Sequence, residues 1–477
     1  MTMNRLAAAI AMPLLLGACA VTRPPAVVDA EAPSGWQAPL PHGGQAGALA
    51  RWWDQWNDPL LGQLIAAAQD VSPTIATARS RLAQARAARV ADEAALLPRL
   101  DGVVSATRGN AQPPAPLAST AQAGLQATWE LDLLGGRADS ARASQARLAG
   151  AEASWHEARV IVAAETAAAY LGLRACEQQR QVAQDDAASR AETARLTQLT
   201  AAAGLSAPAT AALALASAAE GSARLRQQRA QCEIERKALV ALTGVPEPKL
   251  AQRLSGPWTP VIADTLFTVS ALPAQVLAQR PDVRQAELAV AAASADVGAA
   301  HADRYPRLSL SGTIAAGTVR TGGLATDLQT WAIGPIALTL PVFDAGLRAA
   351  AAEAAQARYD EAVALYRARV RQAVGEVEQA LVGLDSARAR VGDARAAAEG
   401  FRASFAATQA RHRAGLASLV ELEDARRTQL AAETAVVGLQ RELHNAWISL
   451  YRAAGGGWQA QDAPPSASAA PRTPRPD

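Results

Sequence analysis

Residues 97–100 read LPRL and residues 305–308 read YPRL, so the triplet PRL twice follows a stretch rich in Ala and Arg. Pro98 and Pro306 stand 208 positions apart, and a three-residue insertion between 308 and 340 lengthens this offset to 211 further along the chain. The offset recurs in Ser72-Pro73 with Arg280-Pro281, Gly204-Leu205 with Gly415-Leu416, and Gly244 with Gly455. A period near 210 is far longer than a solenoid repeat, so the chain is predicted to be a tandem duplication of one large unit.

The duplication predicts how the chain is divided. Two repeats of similar length account for most of the residues, and Pro-containing or small-residue segments flank them. The predicted segments are a lipoprotein signal peptide (1–18), a lipidated tether (19–50), a first repeat (51–250), a linker (251–267), a second repeat (268–457) and a disordered C-terminal tail (458–477).

Pro and Gly positions predict the same order of elements in both repeats: a helix, two strands, a very long helix, a tight turn and a returning helix. The first helix of each repeat ends at a proline, because the residue before proline is pushed out of helical geometry. The elements predicted in the first repeat are helix 73–98, strands 99–108 and 120–132, and helices 138–203 and 208–243. Those predicted in the second repeat are helix 281–306, strands 307–316 and 328–342, and helices 349–413 and 417–453.

The strands are predicted from alternation. Residues 121–132 read AQAGLQATWELD, in which apolar residues such as Leu125 and Trp129 alternate with Gln, Thr and acidic residues. This period of two over twelve residues is typical of a transmembrane β-strand with one lipid-facing side and one watery side. Four strands cannot close a membrane barrel, because eight is the smallest usual number and a sheet edge cannot face lipid. The chain is therefore expected to oligomerise, and three copies would supply twelve strands.

The predicted helices have matched lengths. The two short helices of each repeat total 62 and 63 residues, against 66 and 65 for the long helices. Two short helices stacked end to end would therefore run alongside one long helix over roughly 95–100 Å. Helices of this length are typical of a coiled-coil rod or a tunnel wall and not of a compact globule. The fold class is thus mainly α with a membrane β part.

Composition excludes several classes of function. The net charge is +2 over 477 residues, with no basic stripe for nucleic acid, so no nucleic-acid partner is expected. The five histidines show no metal-ligand spacing, and no phosphate loop or nucleophile elbow is present. We expect no metal, no cofactor and no enzymatic activity.

The N-terminus reads as a targeting signal. The apolar run Leu6–Leu16 is too short to span a bilayer, and Leu16-Gly17-Ala18-Cys19 follows it. This tetrapeptide resembles the bacterial lipobox, which predicts acylation of Cys19, including palmitate, and an anchor in the outer membrane. The alternative is an ordinary signal peptide with an incidental cysteine.

Several strings together resemble the TolC/OprM outer-membrane efflux channels, in particular their NodT-like lipoprotein branch. The resemblance covers about 36–458 and is carried by RWWDQWNDPLLGQLI (51–65), WELDLLGGR (129–137), LAQRPDVRQAELAVAAASADV (277–297), LPVFDAGLR (340–348), RAGLASLVELEDARR (413–427) and LYRAAGGGW (450–458). It implies a TolC-like homotrimer, with a twelve-stranded outer-membrane β-barrel continuous with a periplasmic α-helical barrel. It also implies an adaptor (membrane fusion) protein and an inner-membrane pump of the resistance-nodulation-division (RND) class as partners in the efflux of drugs or other small molecules.

The same resemblance implies a gate. Glu421 and Asp424 are three residues apart on one helix face and match acidic positions that line the closed periplasmic aperture in the family. The alternative is a solvated acidic face paired with Arg426 or Arg427. Gly204 and Gly415 are predicted to make the left-handed turns at the helix tips, where the adaptor would dock.

A disulfide is predicted from chain geometry. Cys176 lies 28 residues before Gly204 and Cys232 lies 28 after it, so an antiparallel hairpin brings both to one height. The periplasm is oxidising, and a bridge can form if the Cα atoms lie within about 7 Å. The alternative is two separate small core residues.

Two other functions stay open from the sequence. The nearest is the outer-membrane channel of a type I (ABC) protein secretion system. A more distant one is a lipid-anchored coiled-coil scaffold without a pore, against which the alternating strands argue.

Overall fold

In a computed structural model the described residues are 23–30, 32–33, 36–38, 52–110, 116–256, 258 and 273–457. The predicted signal peptide, Cys19, most of the tether 19–50 and the tail 458–477 lie outside the described residues.

The order of elements is repeated along the chain, and the fold is mainly helical with one antiparallel sheet, as predicted. The first half contains α1 (Pro59–Val71), α2 (Pro73–Ala94), β1 (Arg99–Gly109), β2 (Ala118–Leu131), α3 (Gly136–Ala202), α4 (Pro208–Thr243) and α5 (Glu247–Leu254). The second half contains α6 (Pro273–Ala278), α7 (Pro281–Ala302), β3 (Arg307–Thr321), β4 (Leu324–Thr339), α8 (Leu347–Arg413) and α9 (Leu419–Ala453).

None of the helices within the described ranges combines the length and the apolar character needed to cross a membrane.

The chain forms two compact units. The first unit takes the described parts of Met1–Glu31, Arg79–Ser154 and Asp282–Arg369, and it contains the whole sheet. The second unit takes the described parts of Ala32–Ala78, Trp155–Pro281 and Val370–Asp477, and it contains both helix-tip turns.

The sheet has strand order β1-β2-β3-β4 with every neighbouring pair antiparallel. Residues paired across neighbouring strands lie on the same side of a sheet, so the register defines two faces. One face is apolar and carries the exposed side chains of Leu100, Val104, Leu125, Ile314, Trp331 and Ile333. The other face is mostly polar and carries Asp101, Ser105, Gln122, Gln126, Thr313 and Thr330.

The second hairpin is longer and tighter than predicted. β3 and β4 extend to Thr321 and back from Leu324, whereas the sequence predicted strands 307–316 and 328–342 with a longer loop. Gly322 and Gly323 have φ values of 58° and 90°, which suit a two-residue hairpin turn. The dipeptide Gly-Gly between two β-rich runs was the signal in the sequence for this turn.

The helices predicted to end at Pro98 and Pro306, which are α2 and α7, end before these prolines. α2 ends at Ala94 and α7 at Ala302, four residues short of the predicted ends at 98 and 306. The intervening residues form a tighter turn, in which Leu97 N donates to Ala94 O (3.1 Å) and Tyr305 N donates to Ala302 O (3.0 Å). A proline has no N–H to donate to the carbonyl four residues earlier, and its ring clashes with that carbonyl, so both helices end one turn before Pro98 and Pro306.

The two long helices begin earlier than predicted, at Gly136 and Leu347 instead of 138 and 349. An aspartate accepts backbone hydrogen bonds at each start. Asp132 Oδ2 accepts from Ala138 N (2.8 Å), and Asp344 Oδ1 accepts from Gly346 N (3.0 Å). These carboxylates satisfy donors that have no partner within the helix.

Aromatic residues anchor the N-terminal segment in the second unit. Trp52 and Trp56 lie in a 3₁₀ turn and are buried in the largest apolar cluster. Trp52 stacks on Tyr451 of α9 with ring centroids 4.7 Å apart. These tryptophans therefore form part of the core of the second unit.

His444 of α9 is also buried in the second unit, beside Trp56 with ring centroids 5.3 Å apart. Neither ring nitrogen has a hydrogen-bond partner among the described residues. Burial lowers the pKa of His444 to about 4, because the charged imidazolium would lose its hydration there.

We predict that His444 makes stability depend on pH. Because its pKa in the unfolded chain is near 6.5, the unfolded state takes up a proton as the pH falls through 6.5, whereas the folded state does not until about pH 4. The free energy of unfolding should therefore fall by up to about 3 kcal/mol between those values. His444→Phe, which keeps an aromatic ring, should reduce this loss in thermal unfolding followed by circular dichroism at pH 7 and pH 5. An identical pH dependence in both proteins would contradict the prediction.

Candidate functional site

The two predicted helix-tip glycines lie at the turns between long helices. Gly204 and Gly415 have φ values of 75° and 76°, and a Cβ at either position would meet nothing within 4 Å. Glycine is therefore required for its backbone conformation and not for space. In each turn the next residue closes the helix end: Leu205 N donates to Thr200 O, and Leu416 N donates to Arg411 O, both at 2.8 Å. This is the Schellman pattern of helix termination.

Glu421 takes part in the N-terminal cap of α9. Its carboxylate accepts from Ser418 N (2.7 Å), and its own N–H donates to Ser418 Oγ (3.2 Å), which completes a capping box. The hydrogen bond from the Ser418 backbone, assisted by the Ser418 side chain, lowers the pKa of Glu421. Glu421 therefore stays ionised at neutral pH. Because Ser418 is the N-cap residue, α9 begins at Leu419 instead of the predicted 417.

Asp424 lies on the same exposed side of α9 and forms an ion pair with Arg427. Both side chains are mostly exposed, so the pair is screened by water and contributes little to stability. The described tip thus presents two carboxylates, Glu421 and Asp424, to solvent, together with the guanidinium groups of Arg411, Arg413 and Arg427.

A buried polar cluster lies behind these residues, and the sequence interpretation missed it. Glu423 Oε2 accepts from Arg190 Nη1 of α3 (3.1 Å) and from Ser217 Oγ of α4 (2.8 Å). Its other oxygen pairs with Arg426, whose Nη2 also donates to Thr193 Oγ1 (2.9 Å). One carboxylate therefore joins three helices.

The charges in this cluster are balanced and enclosed. The Arg190 and Arg426 side chains are only 6% and 3% exposed. Arg190 Nε also donates to both oxygens of Asp186 at 3.0 Å. A Cβ at Gly221 would lie 2.7 Å from the Arg190 Cδ, so this glycine makes room for the arginine. The buried side of α9, with Leu419, Leu422 and Arg426 three and four residues apart, was the available signal in the sequence.

We predict opposite consequences for two neighbouring acidic residues. Glu423→Gln should lower the free energy of unfolding by on the order of 3 kcal/mol, because it leaves two buried guanidinium groups short of a counter-charge. Asp424→Asn, the matched control, should change it by less than about 0.5 kcal/mol because that pair is exposed. Thermal unfolding of the detergent-solubilised protein measures both, and equal shifts would contradict the assignment of Glu423 as the buried partner.

The structure joins Cys176 of α3 and Cys232 of α4, with Sγ atoms 2.08 Å and Cα atoms 5.6 Å apart. Both residues are buried in the large apolar cluster of the second unit. Gln228 Nε2 donates toward Cys176 Sγ (3.2 Å) and toward Gln179 Oε1 (3.3 Å). The equal spacing from Gly204 thus corresponds to equal height in the α3–α4 hairpin.

We predict that this bridge forms in the exported protein. Maleimide labelling of the denatured protein should count two more thiols after reduction than before. A bridge closing 56 residues should contribute about 2–4 kcal/mol, so Cys176→Ser/Cys232→Ser should unfold at lower temperature. Equal thiol counts with and without reductant would contradict the bridge.

Comparison with known proteins identifies relatives along nearly the whole chain. A family model described as "Outer membrane efflux protein" matches residues 64–245 and 272–456, one match in each repeat. The pyoverdine export outer membrane protein OpmQ of Pseudomonas putida is 30% identical, and the match covers 96% of this chain and 99% of the relative. Nodulation protein T of Rhizobium leguminosarum bv. viciae is 26% identical, with 96% of this chain and 94% of the relative covered.

Solved structures show the same fold. The outer-membrane channel OprN superposes with a TM-score of 0.81 at 29% identity, covering 92% of this chain and 99% of that chain. The open state of the MtrE outer membrane channel of Neisseria gonorrhoeae superposes with a TM-score of 0.74 at 25% identity, covering 92% and 99%.

Proposed function

The chain belongs to the outer membrane efflux protein family and is an outer-membrane efflux channel, and from this premise we propose that it is the exit duct of a tripartite efflux system. The TolC-like fold predicted from the sequence is confirmed. In the proposal, a periplasmic adaptor and an inner-membrane RND-type pump deliver small molecules to the channel, which passes them outward and catalyses nothing. The observation that carries the proposal is the family match in both repeats, because each match includes one long-helix hairpin and one β-hairpin.

Secretion of proteins for a type I (ABC) system is not favoured. Among the relatives, OpmQ is named for pyoverdine export and SrpC for solvent efflux. These names concern small molecules, and the same class of cargo is proposed here.

The working unit of the proposal is a homotrimer. The outer edges of β1 and β4 have no partner strand among the described residues. Such edges cannot face hydrocarbon, because each unpaired backbone group costs several kcal/mol there. Pairing β4 of one copy with β1 of the next closes twelve strands, with the apolar face toward lipid and the polar face toward the pore. The helices would then extend into the periplasm.

Lipidation of Cys19 is also part of the proposal, and contacts of the following residues support it. Arg23 forms an ion pair with Asp139 near the start of α3 (2.6 Å), and Ser294 Oγ donates to Pro24 O (2.5 Å). Tyr359 OH donates to Pro25 O (2.9 Å). These contacts hold the residues that follow Cys19 against helices of the unit that contains the sheet. An acyl chain on Cys19 would add only modest membrane affinity and would serve as a supplementary anchor there.

The gate of the proposed channel is the ring of Glu421 and Asp424 from three copies. Each chain adds two carboxylates, of which Asp424 is paired with Arg427 and Glu421 accepts a hydrogen bond from Ser418 N. A narrow acidic ring attracts cations and retards anions. The adaptor would meet the turns at Gly204 and Gly415.

Single-channel conductance in a planar bilayer tests the pore and the gate together. The mature wild-type lipoprotein should give small, cation-preferring openings. Glu421→Gln/Asp424→Asn should keep the hydrogen-bonded cap but lose most of the cation preference, seen as a shift of the reversal potential in a salt gradient. The matched control Asp92→Asn/Glu93→Gln, which also removes two carboxylates, should behave as wild type.

Two outcomes would contradict this account. Unchanged selectivity in the tip variant would remove Glu421 and Asp424 from the constriction while keeping the channel. Membrane-inserted protein that gives no current in any variant would favour the lipid-anchored scaffold instead.

A further inference from the structure

The apolar face of the sheet ends in a row that contains two arginines. Arg108 of β1 is paired with Ser119 of β2, and Ser119 is paired with Arg320 of β3. Cross-strand partners lie on one face, so these residues continue the face that carries Leu125. On β2 their row follows Leu125, Ala123 and Ala121 and is the last on this face. Both arginines are exposed, and one intervening strand separates them by about 10 Å.

The distance from this row to the helix-side boundary matches the thickness of a membrane. Trp129 lies on the same face of β2, and its indole N–H donates to Leu96 O (3.0 Å) next to the end of α2. Tryptophan is typical of the water–lipid boundary. Ser119 is ten residues away along β2, which corresponds to about 25 Å across the membrane at a strand tilt near 40°. Such an apolar band is about 25 Å tall in known outer-membrane proteins.

The charges around the row leave it positive. Asp327 of β4 is diagonal to Arg320 on the same face, and it is the only acidic residue in 102–129 and 310–343, two ranges that include the outer part of both hairpins. Within the described part of the chain, the side chains of Arg108 and Arg320 take part in no ion pair or hydrogen bond. The segment 110–117 that joins β1 and β2 reads NAQPPAPL and has no carboxylate.

We propose that Arg108, Ser119 and Arg320 form a binding site for the phosphates of a glycolipid in the outer leaflet. This inference rests on the proposed function, because the helices must face the periplasm for the row to face outward. Guanidinium groups bind phosphate through paired, charge-assisted hydrogen bonds, and the Ser119 hydroxyl adds a donor between them. The acyl chains of the same lipid would lie on the apolar face below, so one molecule satisfies both features. The ring of three copies would carry three such sites.

The test uses the purified full-length trimer and native mass spectrometry with added lipid A. The probes are diphosphorylated lipid A, the dephosphorylated molecule with the same acyl chains, and inorganic phosphate. Wild type should retain the diphosphorylated lipid, and Arg108→Gln/Arg320→Gln should bind it at least fivefold more weakly. The matched control is Arg99→Gln/Arg307→Gln, which removes one arginine from each of the same two strands at their helix-side ends.

The outcomes separate the sources of binding. A smaller loss in the Arg108/Arg320 variant, or an equal loss in the control, would overturn the site. Equal retention of the dephosphorylated lipid would mean contact through acyl chains alone and would overturn phosphate recognition. Displacement of bound lipid by inorganic phosphate at equal concentration would identify a free-anion site and overturn the lipid assignment.

Failure of this inference is distinguishable from failure of the proposed function. The same preparation is tested for trimer mass and for conductance. A conducting trimer with unaltered lipid binding in the variant would contradict only the arginine site. A preparation without trimers or conductance would contradict the channel itself, and lipid binding by the row would lose its premise.

Discussion

Unpaired backbone groups at the two edges of the sheet constrain everything else in this protein. β1 and β4 contain 11 and 16 residues, and each has a strand partner on one side only among the described elements. In water such edges are tolerated, but in hydrocarbon they must be paired. The proposed trimer follows from this requirement, since the strands of one copy are too few to close a ring. The duplication then supplies two β-hairpins and two helical hairpins per copy.

The two faces of the sheet and the two sides of α9 follow the same logic. On the sheet, the apolar residues share one face and the amides and hydroxyls share the other, which suits a wall between lipid and water. On α9, Glu421 and Asp424 face solvent while Glu423 faces the neighbouring helices. Three acidic residues within four positions therefore have different roles, set by helical rotation alone. In the proposal the exposed pair lines the gate, whereas the buried one contacts α3, α4 and α9.

Much of the fold was predictable because the decisive signals are local. Proline fixes where α2 and α7 end, to within four residues, and glycine fixes the tip turns at 204 and 415. Period-two alternation identified the strands, although the Gly322-Gly323 turn was missed and the second hairpin was predicted too short. The proximity of Cys176 and Cys232 was predictable because a hairpin about Gly204 sets the height of both residues without any tertiary information.

The Glu423 cluster could not be predicted in the same way. Arg190 and Glu423 are 233 residues apart in the chain, and their contact depends on how two separate hairpins pack. Periodicity shows that Arg426 lies on the apolar side of α9, but it names no partner. The arginine row on the sheet has a similar origin: it requires the register of β1, β2 and β3, which neither repeat specifies alone.

The assembly is the central claim, and electron cryo-microscopy of the mature chain in lipid nanodiscs tests it most directly. The account predicts three copies around one axis, with β4 of each copy hydrogen-bonded to β1 of the next and the apolar face against the lipid. A single copy in the bilayer, or an assembly in which β1 and β4 remain unpaired, would contradict it.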